Sequence, residues 1–260
     1  MLTAYEASEL FHAPEAPALG ALLESGRLPA LFSGLPAAAR AHLAAVIART
    51  TGQSVLVVCA DDASAEIFAR DVSALLEREV PLLPARDYTF YTAESVSRQT
   101  EQKRLRALHA LLTNEAPVVV ATAAGLLQRA IPPEKLRQVS FEIEDGGSVP
   151  PEDVEDALLR CGYVRTQQVE GPGQFSRRGG ILDLFSPADL TPIRIEFWGD
   201  DIDSMSRFDI ESQRRTDTLP RCRILPAAET LTTLYPGGAA ALGRSLPPWP
   251  NARQNAKIRL

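Results

Sequence analysis

Two kinds of side chain in this sequence could do chemistry at a surface: guanidinium forks and an indole. They fall in one stretch, residues 173–209, GQFSRRGGILDLFSPADLTPIRIEFWGDDIDSMSRFD. Arg177, Arg178 and Arg194 each offer a planar set of N–H donors that matches a carboxylate, and Trp198 offers a large apolar body with one donor. Three short strands must position them. Ile181–Phe185 is apolar except at Asp183, which predicts a strand covered on both faces. Ser186-Pro187-Ala188-Asp189 is turn chemistry. Ile193–Phe197 alternates apolar and charged residues, the period of a strand with one wet face, so Trp198 falls on the face of Arg194 and Glu196. Gly199-Asp200-Asp201 turns the chain and Ile202–Phe208 returns. Arg177 and Arg178 lie just before the first of these strands, ahead of the flexible Gly179-Gly180. Taken alone, strand arginines are ordinarily a solvated face, and a tryptophan is ordinarily a core residue.

Other chemistry-bearing residues form weaker patterns. Asp200, Asp201 and Asp203 sit in a turn without the spaced ligands of a calcium loop. His12, His42 and His109 belong to no triad or metal motif. Cys59, Cys161 and Cys222 are odd in number and contain no CxxC pair. They predict neither a zinc site nor a disulfide framework, but reduced thiols in a cytoplasmic protein. Tyr88, Phe90 and Tyr91 could stack on a base, or simply pack locally. The net charge of −6 argues against broad electrostatic binding of nucleic acid, while leaving room for a local basic patch. No basic stretch leads into an apolar signal, and no run approaches a membrane span, so no membrane partner is expected. A hydrophobic fraction of 45% supports a packed core.

Along the chain, the first part reads as a parallel α/β lobe. A short strand at Ala30–Phe32 and a helix at Arg40–Thr50 precede the β-branched run Ser54–Ala60, which predicts a strand buried on both faces. A helix follows at Ser64–Arg78, a short strand at Val80–Leu83, a helix at Ser97–Asn114 and a second buried-type strand at Pro117–Thr122. Short helices are expected at Ser8–Phe11, Leu19–Leu23 and Ala123–Arg129. Pro132-Pro133 breaks the pattern, which places residues 1–137 in the lobe. Residues 138–226 read as a small antiparallel α+β domain, with strands at Val139–Ile143 and Val164–Val169 and a helix at Pro151–Cys161 whose first position suits proline. Residues 227–260 lose clear periodicity at Pro236-Gly237-Gly238 and Pro247-Pro248-Trp249-Pro250.

The stretch from Gly171 through Thr216 resembles the N-terminal region of the bacterial transcription-repair coupling factor family (Mfd), and more distantly the excinuclease protein UvrB. The residues that carry the resemblance are GQFSRRGGILDLFSP, PIRIEFWGDDIDSMSRFDIESQR and ILPAAE at Ile224–Glu229. Weaker likeness runs through SVLVVCADDASAEIFARDV, PARDYTFYTAES and PVVVATAAGLLQRAIPP, so that roughly Gly20 to Tyr235 is covered. In UvrB the first lobe carries a P-loop, G-x-x-x-x-G-K-[ST]. The corresponding place here reads Gly34-Leu35-Pro36-Ala37-Ala38-Ala39-Arg40-Ala41. Ala39 replaces the second Gly, Arg40 the Lys and Ala41 the Ser/Thr, and Pro36 removes an N–H donor. The resemblance therefore implies a degenerate P-loop-like lobe with no catalysis and no nucleotide cofactor.

In both families the small inserted domain docks the excinuclease protein UvrA. The contact residues that the resemblance implies fall on Arg178, Arg194 and Trp198, with Phe more usual at the last position; Glu196 and Arg177 are rim candidates. The expectation is a binding module that recruits UvrA to RNA polymerase stalled at a DNA lesion. Contacts with polymerase and DNA would belong to regions absent from this sequence, as would the translocase motor. The incomplete return after the inserted domain suggests truncation. The alternative is a diverged UvrB-like, ATP-dependent protein that binds damaged DNA; a third reading is an adaptor that competes with UvrB for UvrA. An intact P-loop, a long aromatic hairpin after Tyr91 and a basic path would favour the enzyme.

Overall fold

The computed structural model describes residues 31–86 and 98–234, together with 25, 29, 237 and 238. The chain divides into two compact units, 1–130 and 131–260. The first contains α1 (Ala37–Thr51), β1 (Val55–Cys59), α2 (Asp62–Leu76), β2 (Leu82–Leu83), α3 (Arg98–Thr113), β3 (Val118–Thr122) and α4 (Ala123–Leu127). Its three strands are parallel in the order β1-β3-β2. Local chemistry starts the helices. The Asp61 carboxylate accepts the Ser64 N–H at 2.8 Å to cap α2, and the Thr122 hydroxyl accepts the Gly125 N–H at 2.9 Å to cap α4. The Asp61 cap bonds also hold its carboxyl below the usual range.

On one side of this sheet Val55, Val57, Val118, Val120 and Leu82 meet alanines of α1 and α2, whose small side chains let the helices approach closely. On the other side Leu83, Val119 and Ala121 meet Ala107 and Ala110 of α3. The expectation that the first strand is covered on both faces is corrected here: Leu56 and Val58 are 44% and 53% exposed. They share a face with Val119 and Ala121, but β1 is the sheet edge and the α3 cluster takes in residues of β2 and β3 alone. Leu31 and Phe32 form no strand and are exposed, a second correction. With both side chains in solvent and no paired neighbour among the described residues, a strand there has nothing to stabilise it. Arg104 of α3 is buried, its Nη1 donating to the Pro84 carbonyl at 2.7 Å. His12, Tyr88, Phe90, Tyr91 and the two helices expected before Gly26 lie outside the described residues.

The second unit contains α5 (Pro133–Gln138), β4 (Phe141–Glu144), α6 (Pro151–Arg160), β5 (Val164–Arg165), β6 (Gln174–Arg178), β7 (Ile181–Leu184), β8 (Ile193–Trp198), β9 (Asp201–Phe208), β10 (Arg215–Thr218) and β11 (Arg221–Ile224). Six strands form one sheet in the order β10-β9-β8-β7-β6-β5, antiparallel except for β5 on β6; β4 and β11 pair separately. Several strands depart from the sequence expectation. Arg177 and Arg178 are not ahead of the first strand but inside one, β6, and β10 and β11 lie where no strand is expected from the sequence. The strand expected over Val164–Val169 shortens to β5. After Pro226 the described residues hold a single 3-10 turn, Thr232–Leu234.

One face of the six-stranded sheet is apolar: Phe175, Leu182, Leu184, Ile193, Ile195 and Met205 are almost fully buried. Helix α6 lies on that face, contributing Val154 and Leu158 to the core. Arg177 belongs to it too, bonding Glu155 at 2.6 Å and Glu152 at 2.8 Å on α6. The β6–β7 hairpin turns through Gly179 at φ +61°, a conformation that side chains rarely adopt. Its neighbour Gly180 lies against β8, accepting the Phe197 N–H at 2.7 Å. A Cβ on Gly180 would stand 2.7 Å from the Phe197 carbonyl oxygen, closer than packing permits. Gly180→Ala is therefore expected to destabilise the chain by about 1–3 kcal/mol, read as a lowered thermal midpoint. An unchanged midpoint would contradict this packing.

Candidate protein-docking site

The outer face of the sheet is set by strand register. Asp183 of β7 stands opposite Ser176 of β6 and Arg194 of β8, and Ile181 stands opposite Arg178 and Glu196. Residues paired across strands share a face, so Arg178, Asp183, Arg194, Glu196 and, two further along, Trp198 all face the same way. The extra residue at the β8–β9 irregularity lies on β9, so the alternation along β8 is undisturbed.

Asp183 is buried, and it is the point where the arginines meet. Arg194 bonds it bidentately, Nε to Oδ1 at 2.7 Å and Nη2 to Oδ2 at 2.9 Å. Arg178 donates its Nη2 to Oδ2 at 3.0 Å. A buried carboxylate without partners is costly; two guanidiniums supply both charge and donors. Arg194 is enclosed on its other sides. Its guanidinium carbon lies 4.6 Å from the ring centroid of Phe208, within cation–π range. Its Nη1 donates to the Gln213 carbonyl and its Nη2 to Gln213 Oε1, each at 3.3 Å. The bond from Asp183 raises the Arg194 pKa further, so the group is cationic throughout the physiological range.

The three expected contact residues are thus brought to one face, but they differ in access. Trp198 is 83% exposed. The Arg178 side chain is 54% exposed, and that of Arg194 only 12%. Glu196 is tied to Arg215 of β10 and accepts from the Ser204 hydroxyl at 3.1 Å. Arg177 is turned to the opposite face. Asp183 and Gln213 join the site from outside the expected set. Asp183 carries a signal in the sequence, as the one polar residue in an apolar strand; Gln213 carries none. Guanidinium and indole groups neither attack nor exchange protons readily at neutral pH, so this arrangement suits recognition.

The other candidate stretch lies in the first unit. Pro36 precedes α1 with no side-chain cap, Ala39 and Arg40 lie in the first turn, and Gly34 takes φ +77°. Ala41 is wholly buried in the core between sheet and helices.

Comparison with known proteins bears on the second unit most directly. A family model described as "UvrB interaction domain" matches residues 141–229, which include every residue of the outer face named above. Across most of the chain there are longer matches. The chain is 30% identical over 210 residues, 80% of its length, to the transcription-repair-coupling factor of Bacillus subtilis. It is 33% identical over 208 residues, 77% of its length, to that of Myxococcus xanthus. Over 199 residues, 76% of its length, it is 29% identical to that of Escherichia coli. The chain spans 18%, 17% and 17% of the length of these relatives.

The geometry by itself separates stability from exposure. Arg194→Ala leaves the Asp183 carboxylate buried with only Arg178 to compensate it, so a loss of about 3 kcal/mol is expected in urea unfolding. Trp198→Ala removes an exposed side chain and should change stability by less than about 0.5 kcal/mol. Equal effects from the two substitutions would contradict the burial pattern.

Proposed function

Because this chain is a relative of the transcription-repair-coupling factors that carries a UvrB interaction domain, we propose that its second unit docks the excinuclease protein UvrA. The observation that carries this is the exposed Trp198 on the same sheet face as Arg178, within the matched domain. A tryptophan turned to solvent on a strand leaves a large apolar body with one hydrogen-bond donor accessible to a partner. Aromatic and arginine side chains dominate the energetics of protein interfaces, the one filling a pocket and the other engaging carboxylates. Arg178, Arg194 and Trp198 together form the docking site, with Arg178 and Trp198 as the accessible members. In this reading the chain brings UvrA to RNA polymerase stalled at a lesion, for nucleotide excision repair in the cytoplasm.

The first unit, in the same reading, is a degenerate P-loop-like lobe and does no chemistry. Gly34 is followed by Pro36, which lacks an N–H, and Ala39 has a Cβ where a phosphate nest needs Gly. Arg40 replaces the lysine, and Ala41, which is buried, has no hydroxyl for magnesium. The absence of a strand at Leu31–Phe32 adds to this, since a P-loop joins a strand to a helix.

Calorimetric titration of the chain with purified UvrA tests the docking reading. Saturable binding is expected, weakened at least about ten-fold by Trp198→Ala and likewise by Arg178→Ala. No binding by the native chain would overturn the function, and full binding by a variant carrying both Trp198→Ala and Arg178→Ala would overturn the site. Titration with magnesium-ATP is expected to give no binding heat; tight binding would restore the nucleotide-dependent alternative.

A further inference from the structure

The two arginines on the docking face are not equivalent. Four of Arg194's five N–H donors are engaged, by Asp183 on one edge and the Gln213 carbonyl and amide oxygen on the other, with the Phe208 ring below. It has no free fork to present. Arg178 spends one N–H on Asp183 Oδ2 among the described residues and is otherwise open to solvent. A guanidinium carries five donors, so most of its fork remains available. Both arginines converge on the same carboxylate oxygen, Oδ2 of Asp183.

We propose that Asp183 and Arg194 are positioning residues: Asp183 orients the Arg178 guanidinium so that its free edge meets a carboxylate of the partner, and Arg194 holds Asp183 in place. This rests on the docking reading above and refines it, moving Arg194 from the contact set to its support. The charges agree. The positive charge is local to Arg178: two guanidiniums share one carboxylate there, while Glu196 is matched by Arg215 and Asp201 stands opposite Trp198. An acidic group on the partner complements it. Fixing Arg178 before contact also removes ordering that binding would otherwise require.

Three measurements on the full chain test this. The first needs no partner: nitrogen-15 relaxation of the arginine side chains in the unbound native protein. An ordered Arg178 guanidinium is expected, and free rotation on the picosecond-to-nanosecond timescale would overturn the proposal. The second is a thermodynamic cycle with UvrA as titrant. Asp183→Asn should weaken binding about ten-fold in the native background and cause no further loss in an Arg178→Ala background. Equal loss in both backgrounds would mark Asp183 as generally structural and sink the idea. The third covers the case in which Asp183→Asn does not fold. Arg194→Lys keeps a cation against Asp183 but loses the bidentate fork, so it should weaken binding less than Arg194→Ala, which should lose about ten-fold. Equal losses from the two would make Arg194 a contact after all. Failure of the native chain to bind UvrA would instead remove the docking reading, leaving the relaxation result to decide the positioning claim.

Discussion

A carboxylate inside a β-sheet domain must find positive charge, and Asp183 finds it in Arg194. Withdrawing an ion from water costs several kcal/mol even in a relaxed protein interior, and only close, well-directed hydrogen bonds offset that. The bidentate bond fixes the Arg194 side chain, and with it the groups that close around it. Phe208 lies beneath the guanidinium, and the turn after β9 comes across it. That turn is itself built: Asp209 accepts from both the N–H and the hydroxyl of Ser212, bonds that hold its carboxyl below the usual range. Gln213 adopts φ +58°, uncommon for a residue other than glycine, with its N–H on the Asp209 carbonyl and its side chain on the Ile210 carbonyl.

The same two-residue period that builds the sheet separates its tasks. On β8, Ile193, Ile195 and Phe197 go to the core while Arg194, Glu196 and Trp198 face out. Glu196 and Trp198 can therefore be replaced without disturbing the core, with Arg194 as the exception because it serves the buried carboxylate. Strands rather than loops hold Arg178 and Trp198, which in the proposed docking would limit the entropy lost on binding. The first unit is built differently, from alanine-lined helices on a three-stranded parallel sheet, with one strand only half covered.

What can be read from the sequence is the part governed by local periodicity. The alternation from Ile193 to Phe197 gives the face of Arg194 and Trp198 directly, and the Pro-led helix α6 is visible at its first residue. Strand β6 is not, because Gln-Phe-Ser-Arg-Arg carries polar residues on both faces. Arg177 points inward to carboxylates of α6, and Ser176 is buried with its hydroxyl on the Gln167 carbonyl. Such pairings are made by residues distant in the chain, so a local pattern cannot report them. The same holds for the open face of β1, which depends on how far α3 reaches, and for the enclosure of Arg194, which depends on Gln213. The substitutions at Ala39, Arg40 and Ala41 are legible as lost chemistry, whereas the burial of Ala41 is not.

The most direct test follows Trp198 itself. The chain has two tryptophans, Trp198 and Trp249, so Trp249→Phe leaves one that can be labelled with 5-fluorotryptophan. Fluorine NMR during titration with unlabelled UvrA then reports the environment of the indole alone. A shifted and broadened resonance, with loss of its sensitivity to solvent deuteration, is the predicted result. A resonance that stays in place while UvrA binds elsewhere on the chain would contradict the assignment of this face.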